Sequence, residues 1–335
     1  MLATGKVFLL SDWLFMFWIS YLYEILNPND VTPPISKRSH QSTVRAYQGP
    51  PTPNRLMGEF WHVVLPRMRR AMFPTKQNCD RYNQAVLNTL EKKLPMPADE
   101  SLLKPTPVER MRVWVMWWQG KEQMPPIVKA CHESLLRHAR GLEVVLITRD
   151  NVSEYVKLPE AIRRKLDEGR ITLPALSDYV RASLLSNYGG IWVDSTMYFV
   201  RDIPDAAINN VFFTNHRTRE TSDGICISKA RWHGQFLATN ETHSRIFEKM
   251  RRMWEHYWEL CNSNIEYYMI DFLLARIFDT DAKANQLLDP VEGNNNNIYD
   301  LEPNLNVPYD EDLWQQLCQN EEVLQADIQD AIHRR

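Results

Sequence analysis

At 335 residues the chain has room for one large domain with additions, and its 44% hydrophobic and 24% charged residues are the proportions of an ordinary globular protein with a sizeable core. A formal net charge of −3 excludes a global basic field, so nucleic acid is not an expected partner. The five cysteines are far apart, with no CxxC or Cys/His zinc spacing, which fits free thiols in a reducing compartment.

Residues 7–26 form an apolar and aromatic stretch of roughly the 20-residue length that spans a bilayer. Asp12 and Glu24 weigh against a clean span, because an acid at the bilayer centre costs roughly 2.5–3.5 kcal/mol. No small-residue cleavage site follows, so segment 1–26 is expected to be a membrane anchor or interfacial helix rather than a removable signal peptide. Burial against the protein or a partner is the competing reading. Segment 27–60 is rich in proline and polar residues and reads as a linker. Lys37, Arg38, Arg67, Arg69 and Arg70 supply positive charge that can bind anionic headgroups, although such clusters are more often merely solvated. Segment 61–105 is expected to be a helical extension. Its helix over 79–94 places Val86, Leu87, Leu90 and Leu94 on one face, and Pro95 and Pro97 end it.

A compact α/β pattern follows, with a domain expected over 106–320 and a tail over 321–335. Residues 111–118 are almost uniformly apolar, as for a strand buried on both faces. A helix is expected over 126–140, a strand over 142–148 and helices over 161–169 and 176–187. Gly189 and Gly190 stop the last of these, and strand 191–193 ends in Asp194. Further strands are expected at 197–200 and 211–215, helices at 244–260 and 267–278, and a loop at 294–297. Alternating strands and helices predict a mostly parallel sheet flanked by helices, which binds ligands outside the carboxyl ends of its strands. Those ends carry Trp117, Trp118, Gln119 and Gly120, then Arg149 and Asp150, then Asp194, Ser195 and Thr196.

The densest chemistry lies in residues 177–196, SDYVRASLLSNYGGIWVDST. Asp178 and Arg181 are three apart and share a helix face. A carboxylate at a strand end, such as Asp194, can hold a divalent cation or a ribose hydroxyl; manganese and magnesium favour such oxygen ligands shared with substrate phosphates. Arg181 can donate in a fixed fork to hydroxyls or phosphate. Gly189 and Gly190 let a substrate approach their backbone. Taken singly, Asp178 with Arg181 is a surface ion pair and Asp194 a turn residue; the order and spacing favour a site.

Ser177, Asp178, Arg181, Tyr188, Gly189, Gly190, Trp192 and Asp194 together resemble the core motif of the capsular polysaccharide synthesis glycosyltransferases, relatives of glycosyltransferase family thirty-two and of the sugar-transferring domains of large clostridial toxins. Residues 115–120 with 126–128 resemble that family's first strand and helix, and residues 268–271 a downstream helix. The resemblance covers roughly residues 112–314 and leaves out the first hundred.

The resemblance implies a GT-A fold, a nucleotide-diphospho-sugar donor (a uridine donor first), retaining transfer and a glycan or lipid-linked acceptor. Trp117, Trp118, Gln119 and Gly120 would lie along the nucleotide, with Asp194. Asp178, Arg181, Gly189, Gly190 and Trp192 would serve the donor sugar, and Asp194 the metal, manganese or magnesium. Many relatives carry Asp-x-Asp where this chain has Asp194 and Thr196; Asp271 or Glu292 is then a candidate for the missing ligand. A capsule-type enzyme would work membrane-associated at the cytoplasmic face, a eukaryotic relative in the Golgi lumen. The alternatives are an inactive nucleotide-sugar-binding scaffold of a polysaccharide assembly complex and a phosphatase of the haloacid dehalogenase type.

Overall fold

Three apolar runs form parallel neighbours in the computed structural model, which describes residues 76–217, 226–288, 290–305, 307–319 and 323–326. The expected membrane segment, the linker, the basic clusters and most of the tail lie outside the described residues. Among the described residues, no helix is long and apolar enough to cross a membrane.

In chain order the elements are α1 (Lys76–Lys93), β1 (Thr106–Pro107), β2 (Arg112–Met116), α2 (Pro126–His138), β3 (Glu143–Ile147), α3 (Val152–Tyr155), α4 (Glu160–Asp167), α5 (Leu173–Tyr188), β4 (Gly190–Val193), β5 (Met197–Phe199) and α6 (Asp205–Asn209). There follow β6 (Phe213–Thr214), β7 (Phe236–Thr239), β8 (Glu241–Thr242), α7 (Arg245–Leu260), α8 (Met269–Thr280), α9 (Ala282–Leu288), α10 (Glu311–Cys318) and β9 (Val323–Gln325). The main sheet has the order β3-β2-β4-β7-β6. β7 runs against both neighbours, so the other four strands share one direction. The expected mostly parallel sheet is therefore present.

Strand alternation sorts the core into two layers. Trp114, Met116, Trp192 and Leu237 face one cluster, which includes Leu176, Val180 and Leu184 of α5, Phe247 and Trp254 of α7 and Phe272 of α8. Val113, Val115, Ile191, Val193, Phe236 and Ala238 face the other, with Leu135 of α2, Met197 and Phe199 of β5 and Val323 of β9. Each large side chain so enclosed contributes roughly 1.5–3 kcal/mol.

Helix α5 is buried on nearly every side, packed between the sheet and α7. Its start is fixed by Thr172, whose side chain accepts from Ala175 N, with Pro174 in the first turn. Glu248 of α7 is enclosed and accepts from Ser186 Oγ at 2.6 Å and Arg252 Nε at 2.6 Å, locking α7 to α5.

The turn from α5 into β4 requires glycine. Gly190 has φ +95°, and a Cβ there would come within 2.5 Å of Arg112 O and 2.8 Å of Trp114 Nε1. At Gly189, φ +63°, a Cβ would lie 2.3 Å from Val108 Cγ2. Trp114 Nε1 donates to the Gly189 carbonyl at 2.8 Å, satisfying a buried acceptor.

Candidate active site

The carboxyl ends of β3, β2 and β4 reach one edge together. The parallel register sets Leu146, Val115 and Val193 level, so Asp194 follows beside Met116 and Ile147. Trp117 N donates to Ile147 O at 3.0 Å, and Arg149 N to Trp118 O at 2.9 Å, which holds these ends as one rim. Trp117, Trp118, Gln119 and Gly120 are half-buried on it. Trp117 Nε1 donates to Gln123 O, Trp118 packs on the helix-side core, and Gly120 at φ +85° has open space around it.

Arg181 joins three segments. Nη2 stands 3.3 Å from Asp178 Oδ1 and donates to Asp194 Oδ1 at 3.0 Å, while Nη1 donates to the carbonyl of Gly234 in the loop before β7. Its guanidinium also lies 5.0 Å over the Trp192 ring. A Cβ on Gly234 would meet Arg181 Nη1 at 3.0 Å, so a side chain there would crowd the arginine.

Asp194 is held from two sides. Trp192 Nε1 donates to Oδ1 at 2.6 Å, the same oxygen that takes Arg181. No described residue donates to Oδ2, and the side chain is 29% exposed. That oxygen is open to a hydroxyl or a cation. Among the described residues no three His, Cys, Asp or Glu side chains gather as a metal site. A manganese or magnesium ion would find one carboxylate oxygen here, Asp194 Oδ2, and would need substrate phosphates or water for its further ligands. Thr196, two residues on, is half-buried and its carbonyl accepts from Ala326 N at 2.8 Å. Glu292 is exposed on the loop after α9. Asp271, in the first turn of α8, accepts from Trp232 Nε1 at 3.1 Å.

Asp178 is buried beneath this rim. Burial pushes its carboxyl up to about 7, against the pull of Arg181 and with the help of the Asp194 and Asp271 charges. Desolvation wins over the ion pair.

The structure brings Asp178, Arg181 and Asp194 together, with Trp192 as their support. It does not bring Gly189 and Gly190 to them. Those glycines open β4 and Asp194 follows its end, roughly 13 Å away along the strand. The expected approach of a sugar to their backbone gives way to close packing against Arg112 and Val108. Trp192, expected against the sugar, is 1% exposed and sits inside the core.

Residues unmarked by the sequence pattern complete the neighbourhood. Gln235 O accepts from Asp194 N at 2.9 Å, Gln235 Nε2 donates to Tyr299 OH at 3.4 Å, and Tyr299 OH lies 2.9 Å from His233 Nδ1. Burial raises the Tyr299 phenol well above its ordinary range.

The model of a family described as Capsular polysaccharide synthesis protein matches residues 70–331. The chain is 27% identical over 152 residues to the O-glycosyltransferase braB of Annulohypoxylon truncatum, covering 42% of this chain and 33% of that protein. It is 32% identical over 115 residues to the O-glycosyltransferase PaGT of Phomopsis amygdali, covering 31% of this chain and 27% of that protein. The chain thus spans a third or less of the curated relatives it matches. A solved structure described as PaToxG Glycosyltransferase aligns over 76% of this chain and 96% of its own, with a TM-score of 0.37 and 13% identity.

Proposed function

We propose that this chain, which belongs to the capsular polysaccharide synthesis protein family, is a glycosyltransferase that moves a sugar from a nucleotide-diphospho-sugar, a uridine donor first, to a hydroxyl oxygen of an acceptor. The observation that carries the reading is the Asp194 carboxylate, fixed through Oδ1 by Trp192 and Arg181 and open at Oδ2, at the carboxyl edge of a mostly parallel sheet. The names of the two curated relatives agree with transfer to oxygen.

In this reading the rim from Trp117 to Gly120 lines the nucleotide, and Asp194 Oδ2 takes a ribose hydroxyl or a manganese or magnesium ion. The ion, when bound, neutralises charge on the leaving diphosphate. Asp178 and Arg181 meet the sugar hydroxyls: Arg181 donates, and Asp178, titrating near pH 7, can donate or accept. Transfer proceeds with retention by attack on the face the diphosphate leaves, so the chain's work is positioning and electrostatic stabilisation. The acceptor is a glycan or lipid-linked sugar, and residues 7–26 with the nearby basic clusters hold the protein at a membrane, on the cytoplasmic face for a capsule-type enzyme or the Golgi lumen for a eukaryotic one.

The test is a screen of nucleotide sugars with and without manganese, reading released nucleoside diphosphate, paired with calorimetry of uridine and guanosine diphosphates. Binding with turnover supports the reading. Binding without turnover favours the scaffold reading, for which Thr196 in place of a second acid speaks. No binding overturns both.

A further inference from the structure

The loop before β7 fixes two charged groups at once. Gly234 accepts from Arg181 Nη1, and a Cβ built on it would lie 3.0 Å from that nitrogen and 3.4 Å from Ile270 Cγ2. Ile270 therefore stands close to the arginine, and Asp271 follows it in the first turn of α8. Two positions before Gly234, Trp232 Nε1 donates to Asp271 Oδ1 at 3.1 Å. The indole is enclosed and packs on Phe278 of the same helix, ring centres 5.1 Å apart, so its direction is set. Asp271 is thus held as Asp194 is, by an indole N–H on one carboxylate oxygen. Its charge acts on the buried Asp178 carboxyl, as that of Asp194 does.

Asp271 is half-buried, whereas Tyr268 is 44% exposed. Tyr268 is the N-cap of α8 and Asp271 its third residue, and Asp271 N donates to Tyr268 O at 3.0 Å. N-cap and third-residue side chains are the neighbours that meet in a capping box, so ring and carboxylate border one patch. Tyr267 packs edge-on against Tyr268, centres 4.9 Å apart, and props the ring. The patch runs from solvent at the ring to the Arg181 cluster at the carboxylate. It offers a flat apolar face beside a hydrogen-bond acceptor. Asp178, Asp194 and Asp271 together disfavour a second anion there, so a neutral hydroxylated ring is the better match.

We propose that Tyr268 and Asp271 receive the acceptor, an assignment that rests on the sugar-transfer reading above. The Tyr268 ring takes the apolar face of a ring-shaped alcohol, and Asp271 accepts a hydrogen bond from one of its hydroxyls close to Arg181. Asp271 orients the acceptor and takes no proton. The acceptor class is then a hydroxyl on a ring, sugar or carbocycle, in preference to an open-chain hydroxyl such as that of a serine side chain.

The experiment uses the full chain, Tyr268→Ser and Asp271→Asn. Saturation-transfer NMR titrates methyl glucoside, methyl galactoside and methyl mannoside as sugar rings, cyclohexanol as a carbocycle and N-acetylserine amide as the open-chain alcohol. Calorimetry follows uridine and guanosine diphosphates with manganese. The parent is expected to bind at least one ring probe and to favour it over the serine derivative. Each variant is expected to lose about three- to tenfold of that ring affinity, with diphosphate affinity within about twofold of the parent. Binding of methyl glycosides alone names a sugar acceptor, and binding of cyclohexanol as well names ring alcohols generally; either sustains the assignment. It is overturned if no ring probe binds the parent, if the serine derivative binds as well as the rings, or if parent and variants bind the rings equally. A loss of manganese-dependent diphosphate affinity in Asp271→Asn also overturns it, since the residue would then be a metal ligand. If the parent binds no nucleotide, the donor reading falls separately, and the ring comparison run without nucleotide still decides the patch. Should Asp271→Asn fail to fold, Tyr268→Ser, at an exposed position, carries the comparison.

Discussion

Trp192 Nε1 donates to Asp194 Oδ1 across 2.6 Å, so a side chain enclosed in the sheet core sets the direction of the carboxylate at the strand end. The two residues are two positions apart, a spacing that sends side chains to one face of a strand, and the indole nitrogen spans the gap to the carboxylate. Trp192→Phe keeps an aromatic ring in the core and removes the donor. Asp194 would then rest on Arg181 alone. Partners that orient a functional ligand are typically worth 10–100-fold, so donor turnover is expected to fall by roughly that factor. Stability is expected to fall by about 1–3 kcal/mol from the smaller ring and the lost hydrogen bond. Steady-state rates beside a urea titration check both.

Asp178 gives the site a pH signature. Its folded pKa is raised to about 7 from an ordinary 3.8, burial being the main cause, so the folded state binds the extra proton. Its contribution to stability is full below the unfolded pKa, falls as pH rises through the interval to about 7, and is gone above it. Asp178→Asn removes the titration. That variant is expected to melt above the parent at pH 8 and to show a flatter melting profile between pH 4 and 7. Parallel profiles for the two proteins would show that Asp178 is not the group responsible.

Gly190 separates packing from ligand contact. In Gly190→Ala the new Cβ meets Arg112 O at 2.5 Å at a φ of +95°. Strain and overpacking of this kind cost roughly 1–3 kcal/mol each, so a clear loss of melting temperature is expected. Nucleoside diphosphate affinity of the folded fraction is expected to stay within about twofold of the parent, because Asp194 lies at the other end of β4. A stable variant with weakened binding would return the glycines to the donor site.

Strands buried on both faces advertise themselves, and β2 and β4 were legible for that reason: residues 113–116 and 190–193 are enclosed throughout. Helix α5 was legible through its glycine stop, although its start was expected at Leu176 rather than Leu173, the Thr172 cap being weaker as a signal than the apolar run. Strand β7 had no such mark. Phe236, Leu237, Ala238 and Thr239 follow Trp232, His233, Gly234 and Gln235, too short a run to separate from a loop until β4 pairs with it. The same limit hid half of the site. Asp178, Arg181 and Asp194 sit within one short motif, whereas Tyr299 reaches Gln235 across 64 positions and Arg181 reaches Gly234 across 53. Contacts of that span are made by the fold, and no local spacing encodes them.

Arg181→Lys tests the cluster as a unit. The arginine uses Nη2 toward both Asp178 and Asp194 and Nη1 toward Gly234. A lysine keeps the charge but has no planar fork, so it can serve one of these partners well and the rest poorly. Two carboxylates and a carbonyl would then compete for one ammonium in a buried setting, and the Asp194 carboxylate would lose its fixed direction. Donor turnover is expected to fall about a hundredfold or more, the range found when one preorganised electrostatic group is removed. Affinity for the bare nucleoside diphosphate is expected to fall much less, because the arginine is assigned to the sugar and Asp194 keeps its Trp192 bond. Asp194→Asn is expected to differ, losing turnover and manganese-dependent diphosphate affinity together. The decisive comparison is turnover and diphosphate affinity for both variants, after denaturation has shown each to be folded. An Arg181→Lys protein with near-normal turnover would remove the arginine from the sugar site and leave it as a buried structural link between Asp178, Asp194 and Gly234.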